Sequence, residues 1–377
     1  TPVAPAPPAP AEATSSPSAP LDPGAAFRVE ATATLDEVVT REAGNPANAW
    51  ALAHGILARG PEFLATDGRR AIDVLVDDFL VAEKIEGWKG LQPHFPRQRA
   101  EGLPVEPHTD LILKTLIEAG LGQDEALTQA MGAPTVSRLL TAAQIRFFAA
   151  PGGKATAAFA QPDDVAWSIQ AFCQASVDGA ETSWRALNGK DQTLQAITLA
   201  QLEMLEQETW FLRTAKEKGE TVQKRRQGIF GFTCGGAHLH QAVAACAAVG
   251  LPRDANVVER LRLQTELYLD RVPLETKLVE DAIAQAPKLA PLLFNQDVKF
   301  LGHLLESMGK AERDGLFQPT EKERLLLVDA EARLLAHVLQ MKQLGVYRPE
   351  RMADWLSNPE TRQFYLDLVG DACHARK

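Results

Sequence analysis

No stretch of the chain runs for about 18 uninterrupted apolar residues, the length a helix needs to cross a bilayer, so the sequence holds no spanning segment. Cysteines number four, Cys173, Cys234, Cys246 and Cys373, too few and too scattered for a disulfide framework. A bridge through Cys173 or Cys373 is compatible with an oxidising compartment. Cys246, inside Ala-Val-Ala-Ala-Cys-Ala-Ala-Val, reads as a small apolar core residue. Positive charge is also short: 39 Lys and Arg stand against 49 Asp and Glu. That balance argues against nucleic acid or an anionic membrane surface as a main partner, since each requires concentrated basic charge. The one basic cluster, Lys216, Lys218, Lys224, Arg225 and Arg226, is interrupted by Glu217 and Glu220 and reads as a solvated helix end or loop. Aromatics make up only 6%, and Ala and Leu dominate the periodic stretches, which favours helices over strands.

The first residues, Thr1 to about Ala26, contain eight prolines among Ala, Ser and Thr and bury no core. The expected organisation is a Pro/Ala-rich tether over residues 1–28 and one α-helical repeat domain over 29–377. A polyproline-like tether reaches about 3.1 Å per residue. Its composition is similar to the segments that follow the lipidated cysteine of bacterial lipoproteins or a cleaved secretion signal, and the start at Thr fits a removed leader. The expectation is an extracytoplasmic protein, membrane-associated only if an N-terminal lipid anchor exists; the alternative is a cytoplasmic protein with a disordered arm.

Apolar spacing predicts helices near 35–41, 45–59, 69–80, 109–119, 124–131, 135–148, 163–174, 193–218, 237–249, 254–270 and 274–283, then 298–307, 321–343, 349–357 and 359–371. Gly or Pro punctuates nearly every gap. No convincing strand pair is legible, apart from a short extended piece at 229–233. Residues 84–107, broken by Gly87, Gly90, Pro93, Pro96, Gly102, Pro104 and Pro107, form a long excursion able to carry a hairpin, with Trp88 and Phe95 as anchors over a cavity. The reading is an all-α fold of repeated helical hairpins, an open stack or a ring.

A repeat supports it. From His108 to Gly120-Leu121 and from His238 to Gly250-Leu251 the offset is the same, and Asp124 and Asp254 follow in step. His54 to Gly60 and His303 to Gly309 share a shorter offset. Matching helix starts in a repeat architecture crowd one rim, where side chains from distant segments meet.

On the elements Pro107-His108-Thr109-Asp110, Phe232-Thr233-Cys234-Gly235-Gly236-Ala237-His238 and Gly302-His303-Leu304-Leu305-Glu306, residues 30–370 resemble the α/α-toroid proteins, the group of terpenoid cyclases, protein prenyltransferases and several carbohydrate-active enzymes. The resemblance implies a ring of helical hairpins around a cavity. The Asp-rich acid motif of the cyclases, the Gln/Trp repeat of that class and the Cys-His-Gly element of lanthionine cyclases are absent, which leaves those chemistries unsupported.

Cys234 and His238 stand one helical turn apart, and Gly235 and Gly236 permit close approach. A thiolate and an imidazole so placed supply two ligands to zinc or copper. His108 and His303 are the candidates that complete the set, with His54 and His240 as further ones. The bland reading is that histidines at helix starts make local hydrogen bonds and the Gly-Gly pair lets helices approach. Without metal, Glu106, Asp110 and Glu306 are candidate acid-base residues acting with His108 or His238, and Cys234 is a candidate nucleophile lacking an identifiable orienting partner. Trp167, Trp184 and Trp210 suit a stacking groove for a sugar or peptide, or simply the core. The late leucines from Leu325 to Leu339 read as an amphipathic helix buried on a neighbour. Three functions stay open: binding of a small ligand or transition metal in the cavity, a carbohydrate-active toroidal enzyme acting on a glycan, and an interaction scaffold.

Overall fold

The computed structural model describes residues 24–98, 102–128, 133–147, 162–176, 182–187, 189–222, 234, 236–253 and 256–377. In chain order the helices are α1 (Ala25–Val38), α2 (Ala49–Arg59), α3 (Ala71–Val74), α4 (Leu111–Glu118), α5 (Val136–Arg146), α6 (Pro162–Gln174), α7 (Leu194–Lys218), α8 (Ala237–Ala248), α9 (Val257–Gln285), α10 (Ala290–Arg313), α11 (Glu321–Gln343), α12 (Pro349–Ser357) and α13 (Arg362–Arg376). The expected all-α class holds. There are two small antiparallel hairpins among the described residues: β1 (Val81–Lys84) with β2 (Leu91–His94), which runs into the excursion expected to be able to carry one, and β3 (Ser183–Arg185) with β4 (Asp191–Thr193), which apolar spacing missed. They are too short to show alternation.

One set of helices is buried on every side. Ala49 to Ile56 of α2, Ala237 to Ala244 of α8 and Leu368 to His374 of α13 are buried without interruption, the pattern of a helix flanked by protein all round. These helices contact one another in sequence: α2 packs on α4, α4 on α6, α6 on α8, α8 on α10, α10 on α13, and α13 on α2. Their registers advance together. Trp167 meets His238 and Cys173 meets Cys246; His238 meets His303 and Gln241 meets Ser307; Asn295 meets Asp371 and Glu306 meets Lys377; Trp50 meets Gly370 and His54 meets His374. So α6, α8, α10, α13 and α2 run side by side in one direction. Intervening helices rest on pairs of them, α5 on α4 and α6, α7 on α6 and α8, and α9 on α8 and α10, while α1 rests on α13 and on α11, which itself packs on α10. Helix α7 carries the one-sided stripe expected of such a helix, burying Leu194, Ile197, Leu205 and Leu212 while Trp210 is exposed.

Close approach depends on small residues. A Cβ on Gly370 would stand 2.4 Å from Trp50 Cη2, and one on Gly302 would stand 3.3 Å from the Ala375 backbone nitrogen. Gly370→Ala is therefore expected to cost about 1–3 kcal/mol by overpacking the α2–α13 contact. Urea unfolding measures it, and a midpoint equal to that of the native chain would refute so tight a contact.

Three of the inner helices stop in the same way. Gly120, Gly250 and Gly315 adopt left-handed φ of 87°, 75° and 71°, and the following leucine N–H donates back to the carbonyl of Leu116, Cys246 or Ala311. Only glycine takes that conformation without strain, the basis of its use after helix ends.

Several sequence expectations need correction. Cys246 is the disulfide partner of Cys173, tying α8 to α6 across 73 residues; closing a loop of that length contributes about 4 kcal/mol in the chain-entropy account. Residues 254–283 do not form two helices, because α9 continues through Pro273. The first helix begins at Ala25, inside the expected tether. Residues 124–128 are irregular, with an isolated bridge from Ala126 to Thr135, rather than helix. Residues 1–23 and the extended piece at 229–233 lie outside the described residues, as do Lys224, Arg225 and Arg226, while Lys216 pairs with Glu266 and Asp270.

Candidate functional site

The inner helices aim rings at one cavity of about 230 Å³, lined by His54 from α2, His108 from the turn before α4, Trp167 from α6, His238 from α8, His303 from α10 and His374 from α13. Five of the eight histidines in the chain meet there. Ring centres are 5.3 Å apart for His54 and His374, 3.9 Å for His374 and His303, 4.8 Å for His303 and His238, and 6.4 Å for His238 and His108. Trp50 and Trp167 lie against His54 and His238 at 4.1 and 4.0 Å, and Cys234, Lys299, Asp367 and Asp371 complete the wall.

Hydrogen bonds fix the protonation of three of these rings. Nδ1 of His54 lies 2.8 Å from the Trp50 carbonyl, Nδ1 of His303 lies 2.8 Å from the Lys299 carbonyl, and Nδ1 of His374 lies 2.8 Å from Glu306 Oε2. Each acceptor requires an N–H, which places the proton on Nδ1 and the lone pair on Nε2. Burial, reinforced by the neighbouring imidazoles, holds His54, His238 and His303 well below the usual histidine range. Burial lowers His374 as well, with Glu306 pulling the other way. The cavity thus presents neutral imidazoles with available lone pairs. Nδ1 of His238 is buried without a hydrogen-bond partner, as is Nε1 of Trp167. Among the described residues, however, no three His, Cys, Asp or Glu side chains surround a common point closely enough to hold one ion as they stand.

Beneath the rings lies a buried ionic network. Glu306, 2% exposed, accepts from Lys310 at 3.0 Å and Lys377 at 2.8 Å as well as from His374. Burial works against its charge, yet Lys310, Lys377 and His374 hold its carboxyl well below the ordinary range. Glu118 joins Lys114 at 2.5 Å and Lys310 at 3.0 Å. At the mouth Lys299 bonds Asp367 at 3.2 Å and faces Asp371 at 3.7 Å; burial raises the Asp371 carboxyl to about 8.

A second cavity, about 390 Å³, lies on the other side of the turn that carries His108, lined by Glu106, Asp110, His94, Arg97, Arg146 and Phe95 among others. Phe95 is thus the aromatic anchor expected over a cavity; Trp88 is not among the lining residues. Asp110 caps α4 in a left-handed conformation, φ 62°, and accepts from Ser168 Oγ at 2.5 Å. Glu106 accepts from the Ile112 N–H at 2.8 Å. Burial raises Asp110 to about 6, and burial together with the Asp110 charge raises Glu106 well above the carboxylate range.

Of the predicted residues, His108, Cys234, His238, His303 and His54 come together. His240 does not: its Nε2 lies 2.9 Å from Thr265 Oγ1, toward α9. Glu306 is separated from the other two acid-base candidates, since it belongs to the network under His374 rather than to the cavity of Glu106 and Asp110. Trp184 packs on Phe147 and Phe172, and Trp210 stands on the surface. His374, Trp50, Lys299 and Asp371 were missed. A better signal was in the chain: His303 precedes Gly315-Leu316 by the same twelve residues that separate His108 from Gly120-Leu121 and His238 from Gly250-Leu251. The helix starts differ instead. Helix α8 is one turn longer than α4 at its beginning, so His238 lies in the first helical turn whereas His108 precedes its helix.

No family model, curated protein or solved structure matches the chain.

Proposed function

We propose that this is an extracytoplasmic α/α toroid of six inner helices that binds a transition metal, zinc or copper, in its histidine cavity. The observation that carries the reading is the hydrogen bonding of His54, His303 and His374. An imidazole that gives its Nδ1–H to a carbonyl or carboxylate behind it and offers Nε2 to a shared space has the outer-shell arrangement of a metal ligand. Neutral rings suit the role, because only the unprotonated nitrogen coordinates. Cys234 supplies a soft donor favoured by both metals. The return of helix contacts from α13 to α2 supports the ring, and the Cys173–Cys246 disulfide supports an oxidising compartment. The test is metal analysis of the native chain after purification without chelators and reconstitution with zinc or copper: stoichiometric metal is expected, and none at all would end the reading.

A second reading rests on the Glu106–Asp110 pair. One carboxyl held protonated beside one that ionises near pH 6 is the arrangement of a general acid and a general base, and it suits glycan cleavage. If so, turnover of a glycan substrate rises as pH passes upward through about 6, where Asp110 loses its proton, and Asp110→Asn abolishes it. Activity that survives Asp110→Asn would rule this reading out.

A further inference from the structure

Beyond its two carboxyls the second cavity holds a buried apolar wall and two guanidinium groups, and from this combination we infer that it binds a free α-amino acid whose side chain is branched aliphatic or aromatic. Neither the metal reading nor acid-base catalysis is needed for it. The volume of about 390 Å³ falls within the roughly 300–1,000 Å³ of small-molecule sites. Phe95 beyond β2, Leu113 of α4, Leu139 and Ala143 of α5 and Phe147 at the end of α5 are all buried and give the space its apolar wall. Such a wall receives a side chain of the size of leucine or phenylalanine.

Both signs of charge face the same space. Arg97 and Arg146 line it together with Glu106, Asp110 and Glu83. Arg146 donates to Glu83 Oε1 at 2.8 Å, and Arg97 donates to the hydroxyl of Thr109, the residue before Asp110, at 2.9 Å. A guanidinium carries five N–H donors and can grip a carboxylate through two of them at once. The hydrogen-bond donors that meet the two buried carboxyls are neutral among the described residues, the Ser168 hydroxyl for Asp110 and the Ile112 N–H for Glu106. Burial works against the charge of both, and Arg97 and Arg146 offset only part of this at Asp110. A buried carboxylate needs a compensating charge. An ammonium supplies it, with three N–H donors.

A ligand of one charge meets only half of this lining. A simple amine would pair with the carboxyls and bring its charge near two guanidiniums, and a simple acid would pair with the guanidiniums and bring its charge near the carboxyls. An α-amino acid carries both ends on one carbon, and its remaining substituent is the apolar group that the wall receives. Burial orders the two ends. Glu106 is 5% exposed, whereas Arg97 is exposed and the Arg146 side chain is 25% exposed, so the ammonium points inward and the carboxylate toward the mouth. A charged side chain is excluded, because the apolar wall has no partner for it.

Calorimetric titration of the native chain near neutral pH tests it. Leucine and phenylalanine are expected to bind. Isocaproate, which lacks the ammonium, leucinamide, which lacks the carboxylate, and glycine, which lacks the side chain, are each expected to bind about tenfold more weakly or worse. Asp110→Asn and Arg146→Ala should each weaken leucine binding by about tenfold or more, as removal of one partner from a buried charged pair does. Isocaproate or leucinamide binding as tightly as leucine overturns the inference, as does leucine binding unchanged in both variants, or no binding of either amino acid. Metal content and glycan turnover are measured without an amino acid, so failure here leaves those readings where they stand. If a variant fails to fold, as far-ultraviolet circular dichroism would reveal, the ligand series on the native chain still decides.

Discussion

Replacing His238 and His303 together with alanine is expected to weaken zinc or copper binding more than about 100-fold, beyond the 10–100-fold typical of losing an outer-shell partner. These rings stand 4.8 Å apart on the neighbouring helices α8 and α10, so their removal takes two donors from one stretch of the cavity wall. Burial holds both well below the usual histidine range. Their truncation therefore removes lone pairs without stranding a positive charge, and the fold is expected to tolerate it better than the site does. Competition titration with a chromogenic chelator measures the affinity. Binding within threefold of native would mean that the convergence of imidazoles serves packing alone.

The second large effect concerns stability. Glu306→Ala is expected to cost about 3–5 kcal/mol near neutral pH, the range for breaking a buried ion pair from one side. Lys310 and Lys377, both mostly buried, would lose the carboxylate that compensates them, and His374 would lose its orienting acceptor. The native chain should show the matching pH dependence. Because Glu306 titrates lower in the folded state than in the unfolded state, its contribution is complete above an unfolded value of about 4.3. It then fades as pH falls toward the folded value. Urea unfolding of native chain and variant between acid and neutral pH reads both: the gap between them should narrow on acidification. A loss under about 1 kcal/mol, the size of an exposed pair, would place Glu306 outside the buried network.

Much of this arrangement was legible before any coordinates, and the failures have physical causes. Gly and Pro punctuation marked the helical succession because those residues end helices by backbone geometry alone. The meeting of His108 and His238 followed from a shared distance to the Gly-Leu exit, which sets how far up its helix each ring stands. The weaker match of His54 and His303 through Gly60 and Gly309 found the right residues by the wrong register: Gly309 lies inside α10, and the exit is Gly315. His374 carried no such flag, because no Gly-Leu follows it in the sequence. It could be placed only by the docking of α13 between α2 and α10. Cys246 misled for another reason: a disulfide half embedded in alanines has the same local pattern as a free core cysteine, and its partner Cys173 is a different helix's property. The division between Glu306 and the Glu106–Asp110 pair is likewise tertiary, decided by which side of one turn each carboxylate occupies.

The set of imidazoles draws on residues from position 54 to position 374, and that span governs the order of events at synthesis. A chain emerging from the ribosome holds His54 early, yet the ring beside it arrives with α13, over three hundred residues later. The cavity wall is therefore complete only when the last helix docks between α2 and α10.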